Sequence, residues 1–187
     1  MAEHVCPWWL GYWLASPVRR LVEKPEEILS PYVRPGITVL EPGPGMGFFT
    51  LPLARLVGPA GRVIAVDLQP RMLESLRRRA AKAGLTERIE TRIARPDSLD
   101  IGDLAGCVDF VLAFAMVHEL PFPEIFFQET AAALKPGGKL LLAEPVGHVK
   151  PPRFAREFDA ARQAGLAQLT APQLRRNFTA LLQRTPA

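Results

Sequence analysis

Short apolar runs alternate with amphipathic stretches of helical length from Ile37 onward. Because this alternation is typical of parallel strands joined by crossover helices, it predicts an α/β fold. Glycine and proline punctuate most of the runs and indicate where the elements end. The predicted strands are 37–41, 62–67, 88–94, 108–114, 139–144, 166–169 and 177–183, and the predicted helices are 48–57, 70–83, 122–134 and 151–165.

The composition is that of an ordinary globular domain, with 187 residues, 48% hydrophobic and 22% charged. The longest purely apolar stretch, 110–117, is far shorter than the ~20 residues that a membrane-spanning helix needs. The first residues show no basic region before an apolar core, so no secretory signal is expected. Cys6 and Cys107 form no CxxC pair, which favours reduced thiols. Together these features predict a cytoplasmic protein.

The charge distribution gives no sign of a nucleic-acid partner. The 23 Lys and Arg residues exceed the 19 Asp and Glu residues by four, and they are scattered along the chain. The densest basic run, 77–79, lies inside a predicted helix, where a solvated face is the simpler interpretation.

A glycine-rich loop, Glu-Pro-Gly-Pro-Gly-Met-Gly over residues 41–47, stands between the first predicted strand and the first predicted helix. Glycine lets the backbone approach a ligand closely, and the start of the following helix offers free N–H groups. The loop therefore predicts a nucleotide-like ligand. A dinucleotide-binding loop needs a further glycine three residues after Gly45, where this chain has Phe48, so the nicotinamide interpretation fails at its most specific position.

Asp67 ends the second predicted strand, 20 residues after Gly47. An ionised carboxylate only accepts hydrogen bonds, so it can take both hydroxyls of a ribose. Taken alone, the glycines could make a tight turn and Asp67 could cap a helix. The agreement in spacing favours a cofactor site over two unrelated local features.

An acid two residues before the first glycine, followed by glycines at every second position, resembles the first motif of class I methyltransferases that depend on S-adenosyl-L-methionine (SAM). Residues 134–140 resemble the turn before the fifth strand of the same family, and the overall similarity is to its quinone-biosynthesis and arsenite-methyltransferase branch. The resemblance spans about 38–144. It implies a Rossmann-like, doubly wound, mostly parallel seven-stranded sheet with the order 3-2-1-4-5-7-6.

The resemblance also implies SAM as the cofactor and S-adenosyl-L-homocysteine (SAH) as its product. In the family the glycine loop wraps the methionine end of SAM, the acid before it helps to hold the amino group, and the acid after the second strand binds the ribose. After the third strand many relatives carry Gly-Asp-Ala, whereas this chain has Ala-Arg-Pro at 94–96 and brings its acid later. The residues assigned to the cofactor are Glu41, Gly43, Gly45, Gly47, Asp67, Leu68, Asp97 and Ser98.

The candidate catalytic residue is His118, because the fourth predicted strand delivers it to the carboxyl edge of the sheet, where open α/β sheets bind ligands. It could act as a general base, position the acceptor, or simply pack at the start of the next helix. Glu144 and His148 follow the fifth strand toward the same edge and either line the acceptor pocket or cap loops. No metal is expected, because Phe122 occupies the second histidine position of a zinc motif.

All three tryptophans precede the predicted core. Residues 1–34 are therefore expected to form a helical, aromatic-rich lid that excludes water and favours an apolar acceptor, while 35–187 form the SAM-binding domain. Two alternatives remain open for the aromatic segment, residues 4–13, which is followed by Arg19, Arg20 and Lys24. It could rest on a membrane interface, or it could bury against a second subunit in a homodimer.

Little chain remains for a separate substrate domain, which favours a small-molecule acceptor over a protein or a tRNA. The sequence therefore predicts a SAM-dependent methyltransferase acting on a small molecule. Two other classes stay open at this point. One is a SAM-binding regulatory protein without catalysis, since one fold hosts many functions, and the other is a nicotinamide-dependent oxidoreductase.

Overall fold

The computed structural model describes residues 23–185, and the chain divides into two compact units between Ala94 and Arg95. The aromatic segment falls outside the described residues, so the lid over 1–34 stays a prediction. Within the described part of that stretch the backbone forms one short helix, α1 (Pro25–Leu29).

The first unit is a parallel βαβαβ arrangement. The three strands of this unit run in the same direction. The first and second are parallel, with Leu40 opposite Ile64, and the second and third are parallel, with Val66 opposite Arg92. The predicted helix 70–83 carries apolar residues at helical spacing, and they are buried: Met72, Leu73, Leu76 and Ala80. Its elements are β1 (Thr38–Pro42), α2 (Thr50–Leu56), β2 (Arg62–Asp67), α3 (Pro70–Lys82) and β3 (Ile89–Ile93).

The second unit combines a parallel strand pair with an antiparallel hairpin. The strands β4 (Val108–Phe114) and β5 (Leu134–Pro145) are parallel, and β7 (Asn177–Arg184) pairs antiparallel with β5 on one side and with β6 (Leu166–Thr170) on the other. Its helices are α4 (Pro123–Ala133) and α5 (Pro151–Gln163). Both of these helices begin with proline at the position where its missing N–H costs no hydrogen bond.

The seven strands have the order β3-β2-β1-β4-β5-β7-β6, and β7 is the antiparallel member. This order and the flanking helices confirm the doubly wound, mostly parallel α/β prediction. No helix within residues 23–185 is long and apolar enough to cross a lipid bilayer.

One element differs from its sequence prediction by more than two residues. The fifth strand begins at Leu134 rather than at residue 139, and the Lys-Pro-Gly-Gly segment is a bulge inside it. Val108 pairs with Leu134 and Phe110 pairs with Lys139, so a single residue of β4 faces the four residues 135–138. A Cβ on Gly138 would lie 2.9 Å from the Lys135 carbonyl oxygen. Local turn chemistry identifies the glycines correctly, but only strand pairing shows that the chain is already in the sheet.

Candidate functional site

The first unit presents a buried acid, Glu41, near the end of β1. Its side chain is only 3% exposed, and its Oε2 atom has no hydrogen-bond partner among residues 23–185. Burial raises the pKa of Glu41 to about 8; the Thr50 hydroxyl acts in the opposite direction, and the Asp67 charge adds to the rise. Because a buried polar atom without a partner is costly, this carboxyl is suited to receive a hydrogen-bond donor from a ligand.

The glycine loop follows Glu41 and has a left-handed backbone at each of its three glycines. At Gly45, with φ of 54°, a Cβ would meet nothing within 4 Å, so this part of the loop borders open space. At Gly47, with φ of 87°, a Cβ would lie 2.5 Å from Leu76 Cδ1 on α3. The loop is thus packed against α3 at Gly47 and accessible to a ligand at Gly45.

Asp67 links the loop to the end of β2. It is 8% exposed, and its Oδ2 accepts a hydrogen bond from the Gly45 N–H at 3.2 Å while Oδ1 accepts one from the Gln69 N–H at 2.8 Å. An ionised carboxylate only accepts hydrogen bonds, which is the property that a pair of vicinal hydroxyls needs in its partner. Leu68, which follows, is half-buried.

Arg79 on α3 supports the glycine loop, which the sequence did not predict. Its Nη1 donates a hydrogen bond to the Met46 carbonyl oxygen at 2.5 Å and so braces the glycine loop. The basic run 77–79 was interpreted as a solvated face, which holds for Arg77 and Arg78, both exposed, but not for Arg79. The available signal was helical spacing, because Arg79 lies about one turn after Leu76, the residue beneath Gly47.

In the second unit, the segment after β3 is fixed to α4 by Glu129. The Ser98 hydroxyl donates to Glu129 Oε1 at 2.5 Å, and the Leu99 N–H donates to Oε2 at 2.8 Å. The Ser98 hydroxyl also accepts from the Asp100 N–H at 2.9 Å. Its donor is therefore used within the protein, whereas the neighbouring Asp97 is exposed.

The second unit also contains a histidine–glutamate dyad. The short turn Val117–Glu119 follows β4, and Ala115 before it has a left-handed φ of 55°. Glu144 on β5 is completely buried; its Oε1 accepts from the Met116 N–H at 3.2 Å and from the Val117 N–H at 2.8 Å. Its Oε2 is hydrogen-bonded to Nδ1 of His118. One carboxylate therefore fixes both the turn and the imidazole ring.

The electrostatic environment of His118 favours its protonated form. Burial alone would lower the pKa of His118, but the hydrogen bond and charge of Glu144, together with the charges of Glu119 and Glu157, outweigh burial, so that the pKa lies above its usual value. The proton on Nδ1 faces Glu144, which leaves Nε2 as the basic atom of the neutral ring. No described residue forms a hydrogen bond with Nε2.

Arg153 and Glu157 on α5 support the same turn, and the sequence prediction included neither. Arg153 Nη2 donates to the His118 carbonyl oxygen at 2.5 Å, and its Nε donates to Glu157 Oε1 at 3.3 Å. Glu157 is 2% exposed; burial and the Glu144 charge raise its pKa to about 7, and Arg153 and His118 oppose the rise. The exposed His148 ring stacks on His118 with centroids 5.9 Å apart. The sequence signal for the Arg153–Glu157 pair was the i,i+4 spacing of the two residues on a predicted helix.

Comparison with known proteins identifies the family. Residues 39–138, more than half of the chain, match the methyltransferase domain family. The chain is 35% identical over 112 residues to an arsenite methyltransferase of Halobacterium salinarum and 30% identical over 137 residues to a ubiquinone biosynthesis O-methyltransferase of Xanthomonas axonopodis pv. citri. These alignments cover 60% and 73% of this chain but only 28% and 55% of the relatives.

A solved structure matches nearly the whole chain. The SAM-dependent methyltransferase from Aquifex aeolicus superposes with a TM-score of 0.86 and 23% identity, covering 97% of this chain and 100% of the other, which establishes the shared fold. The fold, the glycine loop with its buried acid and the match over 39–138 all agree with the resemblance seen in the sequence. The chain belongs to the methyltransferase domain family, and it has the fold of the SAM-dependent methyltransferase from Aquifex aeolicus.

Proposed function

We propose that this chain is an active SAM-dependent methyltransferase that methylates a small-molecule acceptor, with His118 as the general base. The observation that carries the proposal is the His118–Glu144 dyad in a chain of this family. A buried carboxylate holds the imidazole in one tautomer, and the opposite nitrogen has no partner among the described residues. This is the arrangement that general-base catalysis requires.

The residues of the first unit fit SAM. The unpartnered oxygen of Glu41 matches an ammonium group, and the Asp67 carboxylate at the end of β2, which only accepts hydrogen bonds, matches the ribose hydroxyls. The open side of the loop at Gly45 leaves room for the methionine portion. We assign Leu68 and the exposed Asp97 to the nucleoside end, whereas Ser98 shapes its loop through Glu129.

The chemistry divides between the cofactor and the protein. When bound, SAM supplies an electrophilic methyl group on its sulfonium sulfur, and SAH is the leaving group of the transfer. Nε2 of His118 removes the proton from the acceptor hydroxyl, amine or thiol as the new bond to the methyl forms. Glu144 stabilises the resulting imidazolium through Nδ1, and Arg153 holds the His118 carbonyl so that the ring keeps its orientation.

The first test separates the cofactor from the reaction. Calorimetric titration with SAM, SAH and NAD should give micromolar binding of SAM and SAH and no binding of NAD, with SAM binding lost in Asp67→Ala. Lys82→Ala, an exposed change at the end of α3, is the matched control. A panel of hydroxyl, amine and thiol acceptors is then scored by SAH formation. Binding of SAM without SAH formation across the panel would favour a regulatory SAM-binding protein, and binding of NAD instead of SAM would overturn the proposal.

A further inference from the structure

Two segments of the second unit contain basic residues and no acidic residues. Segment 146–153 contains Lys150 and Arg153, segment 171–176 contains Arg175 and Arg176, and neither contains an Asp or Glu. These four cations equal the formal net charge of the entire chain, +4. Elsewhere in the chain, acidic and basic residues therefore balance.

The two segments meet at the carboxyl end of β5. The Val146 N–H donates to the Arg176 carbonyl oxygen at 3.0 Å, and Pro145 pairs with Asn177 directly after it. Segment 171–176 is also held internally, because the Asn177 N–H donates to the Leu174 carbonyl at 3.1 Å. The basic residues are thus carried by an ordered loop that borders the strand end bearing Glu144.

Arg176 has a left-handed backbone, with φ of 63°. A non-glycine residue in this region costs free energy and persists only where its surroundings fix it, as at many functional sites. Its carbonyl bond to Val146 is such a constraint. This bond holds the Arg176 backbone next to the segment that carries His148, whose ring stacks on His118.

The carboxylates at this edge are already engaged. Glu144 is buried and accepts hydrogen bonds from two backbone N–H groups and His118, Glu157 is buried against Arg153, and Glu119 acts on His118 through its charge. Lys150, Arg175 and Arg176 are exposed and form no ion pair with any residue in 23–185. We call these three residues the cationic edge.

We propose that the cationic edge binds an anionic group of the methyl acceptor, so that the substrate class is a small organic anion with a carboxylate or phosphate near its nucleophilic atom. This inference rests on the proposed function, because it assigns the acceptor of that reaction. Unpaired cations on the two segments that adjoin the carboxyl end of β5 attract such an acceptor and hold its anionic end, which leaves its nucleophile free to approach His118.

Benzoate and its neutral isostere benzamide test the charge preference without any need for turnover. The full chain is titrated in the presence of SAH, and the imidazole signals of His118 and His148 are followed by NMR. We expect benzoate to bind about tenfold more tightly than benzamide at low salt, and the difference to shrink as ionic strength rises. Equal affinity, or failure of both compounds to bind at millimolar concentrations, would overturn the inference.

Charge removal locates the preference. The double variant Arg175→Gln/Arg176→Asn should fold, because asparagine tolerates the left-handed conformation, and it should lose the preference for benzoate. Lys139→Gln/Arg162→Gln removes the same charge elsewhere: Lys139 directly follows the bulge of β5, and Arg162 lies in the last turn of α5. This matched control should retain the preference. Its loss in both variants to the same degree would indicate a general charge effect and would contradict the assignment.

Two further arms separate this inference from its alternatives. Intact SAM binding and SAH formation with no benzoate preference would remove the inference and leave the proposed function standing, whereas loss of SAM binding would remove the function itself. Sedimentation with phosphatidylcholine vesicles, with and without phosphatidylglycerol, tests a lipid surface. Vesicle binding that disappears in the double variant, without a benzoate preference, would reassign the cationic edge to anionic lipid.

Discussion

At the scale of single residues, Glu41 connects cofactor binding to protonation. Its pKa of about 8 means that the carboxyl is mostly protonated at pH 7 in the protein alone. A cationic group placed at its unpartnered Oε2 would favour the ionised form and lower the pKa. Ligand binding and proton release are therefore coupled at this residue.

We expect SAM binding at pH 7 to release up to one proton, measured by calorimetry in buffers that differ in ionisation enthalpy. Glu41→Gln should abolish the release and weaken SAM binding about 10–100-fold, because the amide loses the charge that pairs with the ammonium. Glu87→Gln, an exposed acid of the same unit, is the control. Proton release that persists in Glu41→Gln would place the ammonium elsewhere.

The pH dependence of methyl transfer follows from His118. A histidine accepts a proton only when its ring is neutral. The value of kcat/KM should therefore rise with pH and level off above the raised pKa of His118. Glu144→Gln removes the main group that raises this pKa, so the acidic limb should move to lower pH while kcat falls about 10²-fold. His118→Gln should remove the limb and retain SAM binding.

The control is Glu124→Gln, an exposed change in the first turn of α4, which should leave the pH profile unchanged. A profile of Glu144→Gln identical to that of the unaltered protein would show that the dyad has no catalytic role.

At the scale of elements, the glycine loop depends on neighbours on both sides. Asp67 at the end of β2 accepts a hydrogen bond from its backbone, Arg79 on α3 donates to it, and Leu76 packs beneath it. The loop is thus pre-organised by the βαβ unit rather than by its own sequence alone, which reduces the ordering cost of binding.

Two alanine substitutions should separate binding from stability within this loop. Gly45→Ala adds a methyl in open space, so it should cost about 1 kcal/mol of unfolding free energy for the backbone yet strongly weaken SAM binding. Gly47→Ala also collides with the fully buried Leu76 and should cost roughly 2–3 kcal/mol. Urea unfolding and calorimetry measure the two effects. Equal loss of stability in both variants would contradict the described packing.

At the scale of the whole molecule, four groups within residues 23–185 share a pKa shift of the same sign. Glu41, Glu157, His118 and Tyr32 all have raised pKa values in the folded chain. A group with a raised pKa binds more protons when folded, so its stabilising effect is present below the unfolded pKa and is lost as pH rises through the folded pKa. The pH range over which this stability is lost runs from about 4.5 to about 7 for Glu157 and from about 4.5 to about 8 for Glu41.

We therefore expect the cofactor-free protein to be more stable near pH 5.5 than near pH 8.5, by ~2 kcal/mol or more in urea unfolding. The double variant Glu41→Gln/Glu157→Gln should flatten this dependence, because neither amide titrates. A saturating concentration of SAM should also reduce it, since the ammonium compensates the Glu41 charge. Stability that rises between these two pH values would contradict the direction of both shifts.

Much of the fold could be predicted from the sequence, and so could the positions of the glycine loop and Asp67 after their strands. Strand β2 and strand β4 agree residue for residue, because a run of apolar residues bounded by turn residues is a local pattern. Gly45, Gly47 and Asp67 could be identified for a similar reason, since their roles depend on position after a strand. Their contacts with each other and with Leu76 are not local, and the sequence did not predict them.

Only the tertiary structure showed the partnerships that give these residues chemistry. Glu144 meets His118 across 26 residues, Arg79 meets Met46 across 33, and Arg153 meets His118 across 35. The start of β5 likewise depended on pairing with β4. Periodicity and propensity report interactions within a few residues, whereas a shifted pKa or a braced loop depends on which side chains strand pairing and helix packing bring within hydrogen-bond distance.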